Sequence, residues 1–248
     1  MGHPLLHEVF DRIAWVQKHG GLPLVVFDLD STLFHTGSRH LAILREFADE
    51  APEELDELEA LRSALPSIGA REFGYFVTDP LHARGLAQKG ALESALLDFW
   101  SVRYFTSTWC VYDTPTAGAL DFVSAVREAG ATIWYATGRP EASMGVGTRI
   151  SLRQHGFPLD DKAGLAMRGP DMETDADFKD AIVAAAAEAH LVAQFENEPG
   201  HANLWREAYP DALHVLVGDV HSPDAPLPHP ALVRTDDFVL PERQPAFP

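Results

Sequence analysis

The run Leu24-Val25-Val26-Phe27-Asp28-Leu29-Asp30-Ser31-Thr32 decides how this chain folds. Its first four residues are apolar without alternation and are bounded by Pro23 and Asp28. A strand of that kind has both faces covered, which places it inside a parallel sheet. Two aspartates follow it at once. Open parallel sheets gather their sites at the carboxyl ends of their strands. Asp28 and Asp30 therefore stand where chemistry is done, although Asp-x-Asp after a strand also serves as a turn or a helix cap.

The flanking sequence supports a sheet. Leu6, Val9, Phe10, Ile13 and Val16 fall at helical spacing and predict a helix over 5–19, stopped by Gly20 and Gly21. From Pro115 onward, helical and strand patterns alternate. Helices are expected over 116–129, 143–155, 177–189 and 200–208, and strands over 132–136, 164–167, 191–195 and 213–217. Thr137-Gly138-Arg139-Pro140 reads as a turn. Helices between short apolar strands argue a parallel sheet covered on both faces.

Residues 38–112 differ. They lack such strand runs and predict helices over 39–50, 52–65 and 90–105, the last carrying Leu96, Leu97, Phe99, Trp100, Tyr104 and Phe105. The expected architecture is α/β: a three-layer Rossmann-like parallel-sheet core over 1–37 and 113–248, with a mainly helical cap inserted at 38–112. The aromatic band reads as cap core, with room for an apolar or ring-bearing group beside it. The tail from Ser222, rich in proline and histidine, is expected to run over the surface.

Composition narrows the function. The chain has 248 residues, with 19 Lys and Arg against 37 Asp and Glu, a net charge of −18. No basic run opposes that field, so a nucleic-acid polymer is an unfavoured partner. The single Cys110 excludes a disulfide framework and a cysteine-rich metal site. No stretch approaches the ~20 apolar residues of a membrane span. Met1–Glu8 lacks the basic region of a signal peptide, so a cytoplasmic location is expected.

The strand ends suggest one constellation. The first carries Asp28 and Asp30, the second Thr137, and the fourth Glu196, Asn197 and Glu198. Lys179 lies at the start of the helix leading to that fourth strand. Asp28, Glu196 and the Asp30 main-chain carbonyl are hard oxygen donors suited to Mg2+. A carboxylate attacks phosphorus only where its repulsion from a phosphate dianion is cancelled, which Mg2+ and Lys179 would do. Thr137 would hold phosphoryl oxygens, and Asp30 would move the proton.

Phe27-Asp28-Leu29-Asp30-Ser31-Thr32-Leu33 resembles the first motif of the haloacid dehalogenase-like superfamily. Ala136-Thr137-Gly138-Arg139 matches its second motif, Lys179 its third, and Phe195-Glu196-Asn197-Glu198 sits where the acidic fourth belongs. The resemblance covers about residues 22–36 and 115–219, and the insert after Leu33-Phe34 resembles the cap of such proteins. It implies that Asp28 is a nucleophile forming an aspartyl-phosphate and Asp30 the general acid/base. Thr137 and Lys179 would position the phosphoryl group, and Asp28, Asp30 and Glu196 would bind Mg2+. Glu198 and Asp219 remain alternative metal ligands, because the fourth motif is usually richer in aspartate. Arg39, Arg71, Tyr75 and Arg103 are candidate substrate-side groups of the cap, Arg139 and Arg168 candidate phosphate contacts, and His35 a candidate neighbour of the leaving group. The expected activity is Mg2+-dependent hydrolysis of a small phosphorylated metabolite. The alternatives are transfer to an acceptor other than water, or a weakly active member that works by binding.

Overall fold

The computed structural model describes residues 5–172 and 174–240. Met1–Pro4 and the last eight residues of the tail, 241–248, lie outside them, and with them the leader reading of the amino terminus. Helix α1 (Leu5–Lys18) buries Leu6, Val9, Ile13 and Val16 along the stripe its spacing predicts. Strand β1 (Pro23–Phe27) is buried at every position. The other elements of the core are α6 (Ala119–Glu128), β4 (Thr132–Pro140), α7 (Glu141–Gln154), β5 (Ala163–Arg168), α8 (Asp175–Ala185), β6 (His190–Glu196), α9 (Pro199–Ala208), β7 (Leu213–Val217) and β8 (Val233–Thr235). They form one sheet of order β5-β4-β1-β6-β7-β8, parallel at every pairing. β1 thus lies between two neighbours, as its unbroken apolar run requires.

The sheet is covered on both faces. One side packs Val25, Phe27, Ile133, Phe122, Phe195 and Val215 with α1 and α6. The other packs Leu24, Val26, Ala136, Phe178, Leu191 and Trp205 with α8 and α9. The result is a three-layer Rossmann-like core.

The helical insert leaves and rejoins the core through a two-strand ribbon, β2 (Phe34–His35) against β3 (Thr114–Pro115). Between them lie α2 (Gly37–Glu50), α3 (Leu58–Ala64), α4 (Asp79–His82), α5 (Ala91–Tyr104) and the 3-10 segment Ser107–Tyr112. This cap has its own core, built on Leu44, Phe47, Leu61, Phe73, Leu81, Leu92 and Leu96.

Three expectations are corrected. The helix predicted over 52–65 is α3 alone, since 52–57 form turns that end in the left-handed Glu57, at φ 67. Thr137–Pro140 continues β4 with a register shift between Thr137 and Pro140 instead of closing a turn. The tail does more than lie on the surface: β8 extends the sheet and Phe238 is wholly buried in the core. No helix among the described residues is long and apolar enough to cross a membrane.

Candidate active site

The predicted side chains leave their elements at the carboxyl edge of the sheet. Asp28 follows β1, and its amide still donates to the Phe195 carbonyl at 3.0 Å, so sheet pairing fixes its backbone. The chain then turns through Ser31 at φ 57, a left-handed conformation that costs an L-residue about 1–2 kcal/mol. The turn is secured where Phe34 N donates to the Leu29 carbonyl at 2.8 Å and Thr116 Oγ1 to the Thr32 carbonyl at 2.7 Å. It directs Asp30 into the same cavity as Asp28. Lys179 comes from the amino end of α8, which Thr174 and Asp177 close with a reciprocal capping box.

Lys179 binds two of the carboxylates together. Its Nζ donates to Asp28 Oδ1 at 2.8 Å, to Glu196 Oε2 at 2.8 Å and to the Ala136 carbonyl at 3.2 Å. All three side chains are buried. Burial pushes the Asp28 carboxyl up despite the ammonium beside it. Burial and the nearby Asp28 charge push Glu196 up to about 8. Burial works against the Lys179 charge, but the two carboxylates outweigh it and hold the ammonium well above the usual lysine range.

Asp30 meets the opposite surroundings. Arg139 Nε donates to Asp30 Oδ2 at 2.9 Å, and Arg39 Nη2 to Asp30 Oδ1 at 3.0 Å. Burial opposes its charge, yet the two guanidinium groups hold the carboxyl well below the usual range. Both arginines also bind Asp113, Arg39 Nε at 2.8 Å and Arg139 Nη2 at 2.7 Å. This network joins α2 of the cap, the return strand's flank and β4.

Asp28, Asp30, Thr137, Lys179 and Glu196 all line one cavity of about 390 Å³, within the range of small-molecule sites. Glu198, Arg139, Arg168 and Tyr75 line it too. The Glu198 carboxylate is engaged by Ser222, whose amide donates at 2.9 Å and hydroxyl at 2.7 Å. Asp219 and His35 line a separate, neighbouring cavity of about 360 Å³. Arg71 and Arg103 line neither. Arg103 is instead paired with Glu46 at 3.2 Å and Glu50 at 3.4 Å. Arg39 lies behind the cavity wall, occupied by Asp30 and Asp113.

Three site residues escape the motif reading. Asp113 completes the arginine network. Asp175 lies four residues before Lys179 on α8, and its Oδ1 is buried without a hydrogen-bond partner. It packs where Gly138 has no side chain, since a Cβ there would collide with the carboxylate. His201 opens α9, 3.4 Å from Asp175 and 3.8 Å from Glu196. The i,i+4 spacing of Asp175 and Lys179 on α8 was the available signal for Asp175.

Among the described residues, no group of three or more His, Cys, Asp or Glu side chains is arranged to hold a metal ion. The donor set expected from the sequence has two side-chain carboxylates and one main-chain carbonyl. Its chemistry suits Mg2+: Asp28 and Glu196 are buried oxygen donors close enough to share one ammonium, and the orphaned Asp175 Oδ1 lies beside them.

Fold and site together define a protein with a Rossmann-like core, a helical cap and a carboxylate-lysine cluster at the strand ends between them. No family model matches the chain, and no curated protein matches it. Among solved structures, it resembles a candidate phosphatase from Clostridium difficile, with 12% identity over 79% of this chain and 85% of that one and a TM-score of 0.50. Protein Tyrosine Kinase A of Mycobacterium tuberculosis is similar at 20% identity over 86% and 93% of the two chains, with a TM-score of 0.49. A HAD-superfamily hydrolase from Ehrlichia chaffeensis is similar at 14% identity over 87% and 91%, with a TM-score of 0.48. At these identities the likeness is one of fold.

Proposed function

We propose that the chain is a haloacid dehalogenase-like phosphatase that hydrolyses a small phosphomonoester through an aspartyl-phosphate on Asp28. The observation that carries this reading is the Lys179 ammonium held at 2.8 Å by both Asp28 and Glu196 in a buried strand-end site. A carboxylate so placed has a fixed line of attack and a cation beside it to offset the phosphate charge. Mg2+, held by Asp28, the Asp30 carbonyl and Glu196, would supply further charge neutralisation at the phosphoryl oxygens. Asp28 attacks phosphorus, the P–O bond to the leaving alcohol breaks, and the alcohol oxygen takes a proton from Asp30. Water, deprotonated by Asp30, then releases phosphate from Asp28. Thr137 donates to a phosphoryl oxygen. Arg139 and Arg39 hold Asp30 ionised between turnovers, so loading it with a proton requires the guanidinium contacts to loosen as substrate binds. The cap, taken as residues 38–112, closes over the leaving group.

Asp28→Asn tests the reading. It keeps the shape of the side chain and removes the nucleophile. Hydrolysis of p-nitrophenyl phosphate with Mg2+ falls to background, while the melting temperature stays within a few degrees of the parent. Near-normal turnover by the variant would overturn the mechanism. Chelation of the metal brings the parent's turnover to background as well.

A further inference from the structure

The cap side of the cavity is built from His40, Gly74, Tyr75, Trp100, Tyr104 and Phe105. Four aromatic rings and an imidazole make up nearly all of it. His40, Trp100, Tyr104 and Phe105 are packed as one wall, and Tyr75 meets Phe76 edge-on at 5.1 Å. His40 lies edge to edge with Trp100, ring centroids 5.8 Å apart and planes within 5°, and parallel to Phe73 at 5.6 Å and 7°. Trp100 lies 4.7 Å from Tyr104, and Phe105 meets both rings edge-on at 5.6 and 5.0 Å. Trp100 Nε1 donates to His40 Nδ1 at 3.1 Å, and the Arg39 guanidinium lies 4.5 Å from the Tyr104 ring centre. Such a wall presents ring faces and edges at fixed positions, with little side-chain freedom left to lose on binding.

Charge is distributed unevenly across the cavity. Among the described residues, the cap side carries no acidic or cationic group, and His40 is kept neutral by burial and by Arg39. The core side carries Asp28, Asp30, Asp175, Glu196 and Glu198. Of its cations, Lys179 is engaged by Asp28 and Glu196, Arg139 by Asp30 and Asp113, and Arg168 donates to the Gly138 and Met172 carbonyls. A second anionic group on the substrate would meet aromatic carbon on one side and carboxylates on the other.

Resting on the phosphatase reading, we infer that the substrate is a phosphomonoester whose leaving group is an uncharged aromatic ring system, seated against Tyr75, Trp100 and Phe105. Phosphorylated amino acids and other esters with a second charged group are disfavoured by the same wall. The cavity of about 390 Å³ has space for one or two rings beside the phosphoryl group.

The test compares esters of similar alcohols, so that leaving-group acidity does not decide the outcome. Benzyl phosphate, ethyl phosphate and 4-carboxybenzyl phosphate are assayed with the full chain and Mg2+. The expected kcat/KM for benzyl phosphate exceeds that for each of the others by about tenfold or more, the scale of burying one ring. Tyr75 and Phe105 are 49% and 45% exposed, so Tyr75→Ala and Phe105→Ala leave the cap core in place. Together they lower the benzyl-to-ethyl ratio several-fold, while Trp100 keeps part of the preference. Binding is measured separately by calorimetry with benzylphosphonate and ethylphosphonate, which cannot be hydrolysed. Tighter binding of the benzyl compound with no turnover of any ester shows that the wall seats an aromatic ring but overturns the phosphatase reading, and with it the substrate assignment. Equal turnover of benzyl and ethyl phosphate, or a preference for the carboxylated ester, overturns the inference and leaves the phosphatase reading standing.

Discussion

Two aspartates two residues apart meet opposite electrostatics. Asp28 shares one ammonium with Glu196, and burial pushes it up; Asp30 faces two guanidinium groups, which hold it down. Asp28 is buried and Asp30 keeps a side-chain exposure of 31%, but it is the two guanidinium groups that hold Asp30 down. His40 shows the same rule with the sign reversed. Burial, with Arg39 beside it, pushes its imidazole down to about 3. Its Nδ1 already accepts from Trp100, so a proton there would also break a hydrogen bond. An unfolded histidine titrates near ~6.5. Between those values the unfolded chain binds the extra proton, so stability is lost as pH falls from 6.5 toward 3. His40→Asn keeps an acceptor for Trp100 and cannot titrate there. Chemical unfolding followed by tryptophan fluorescence at pH 7 and pH 4.5 is expected to show a loss for the parent about 2 kcal/mol larger than for the variant. An equal loss in both would remove His40 from this account. The lining of the candidate site was legible where residue type and strand end coincided, as at Asp28, Thr137 and Glu196. Asp113 was not, because its partner Arg39 is 74 residues away and no local pattern links them.

At the scale of elements, the cap returns to the core along a backbone contact. The 3-10 segment Ser107–Tyr112 packs on α7, where Ser107 Oγ donates to the Ser143 carbonyl at 2.9 Å. A Cβ at Gly147 would sit 2.6 Å from Ser107 Cα and closer still to its carbonyl oxygen. Backbone cannot rotate aside as a side chain can, so Gly147→Ala pushes the two elements apart. Overpacking of this kind costs about 1–3 kcal/mol. At Gly164 on β5, a Cβ would meet no atom within 4 Å, so Gly164→Ala is the matched control and leaves stability unchanged or slightly raised. Thermal melts of both variants check the pair; equal melting temperatures would show that the contact yields. The long elements were readable from their periodicity: α1, α5, α6 and β1 fall within a few residues of expectation. The short ones were not. β2, β3 and β8 have two, two and three residues, too few to carry an alternation, and each exists only by pairing with a distant segment. The acidic stretch at 52–57 has helix-forming residues but no apolar stripe to pack, and it stays as turns.

The whole molecule must hold together against a net charge of −18. Part of the acidic face of the cap is locally compensated. Arg62 bridges Glu53 and Glu59 at 2.7 Å each, and Arg103 reaches Glu46 and Glu50. Exposed pairs of this type contribute about 0–1 kcal/mol apiece and fade with salt. The strong pairs are buried, Lys179 with Asp28 and Glu196, and Arg39 and Arg139 with Asp113, and salt reaches them poorly. What salt screens most is therefore the long-range repulsion among the excess carboxylates, which acts over distances beyond the ~10 Å Debye length of 0.1 M salt. Unfolding spreads those charges apart, so repulsion favours the unfolded chain, and screening it favours the fold. Raising NaCl from about 10 to about 500 mM at pH ~7.5 is expected to raise the melting temperature by several degrees, with most of the gain below about 150 mM, where the Debye length is still near 8 Å. KCl should act alike, because the effect is one of ionic strength. A melting temperature that falls with salt would mean that the exposed arginine bridges outweigh the global field, and that the cap owes its stability to them instead of to its apolar core.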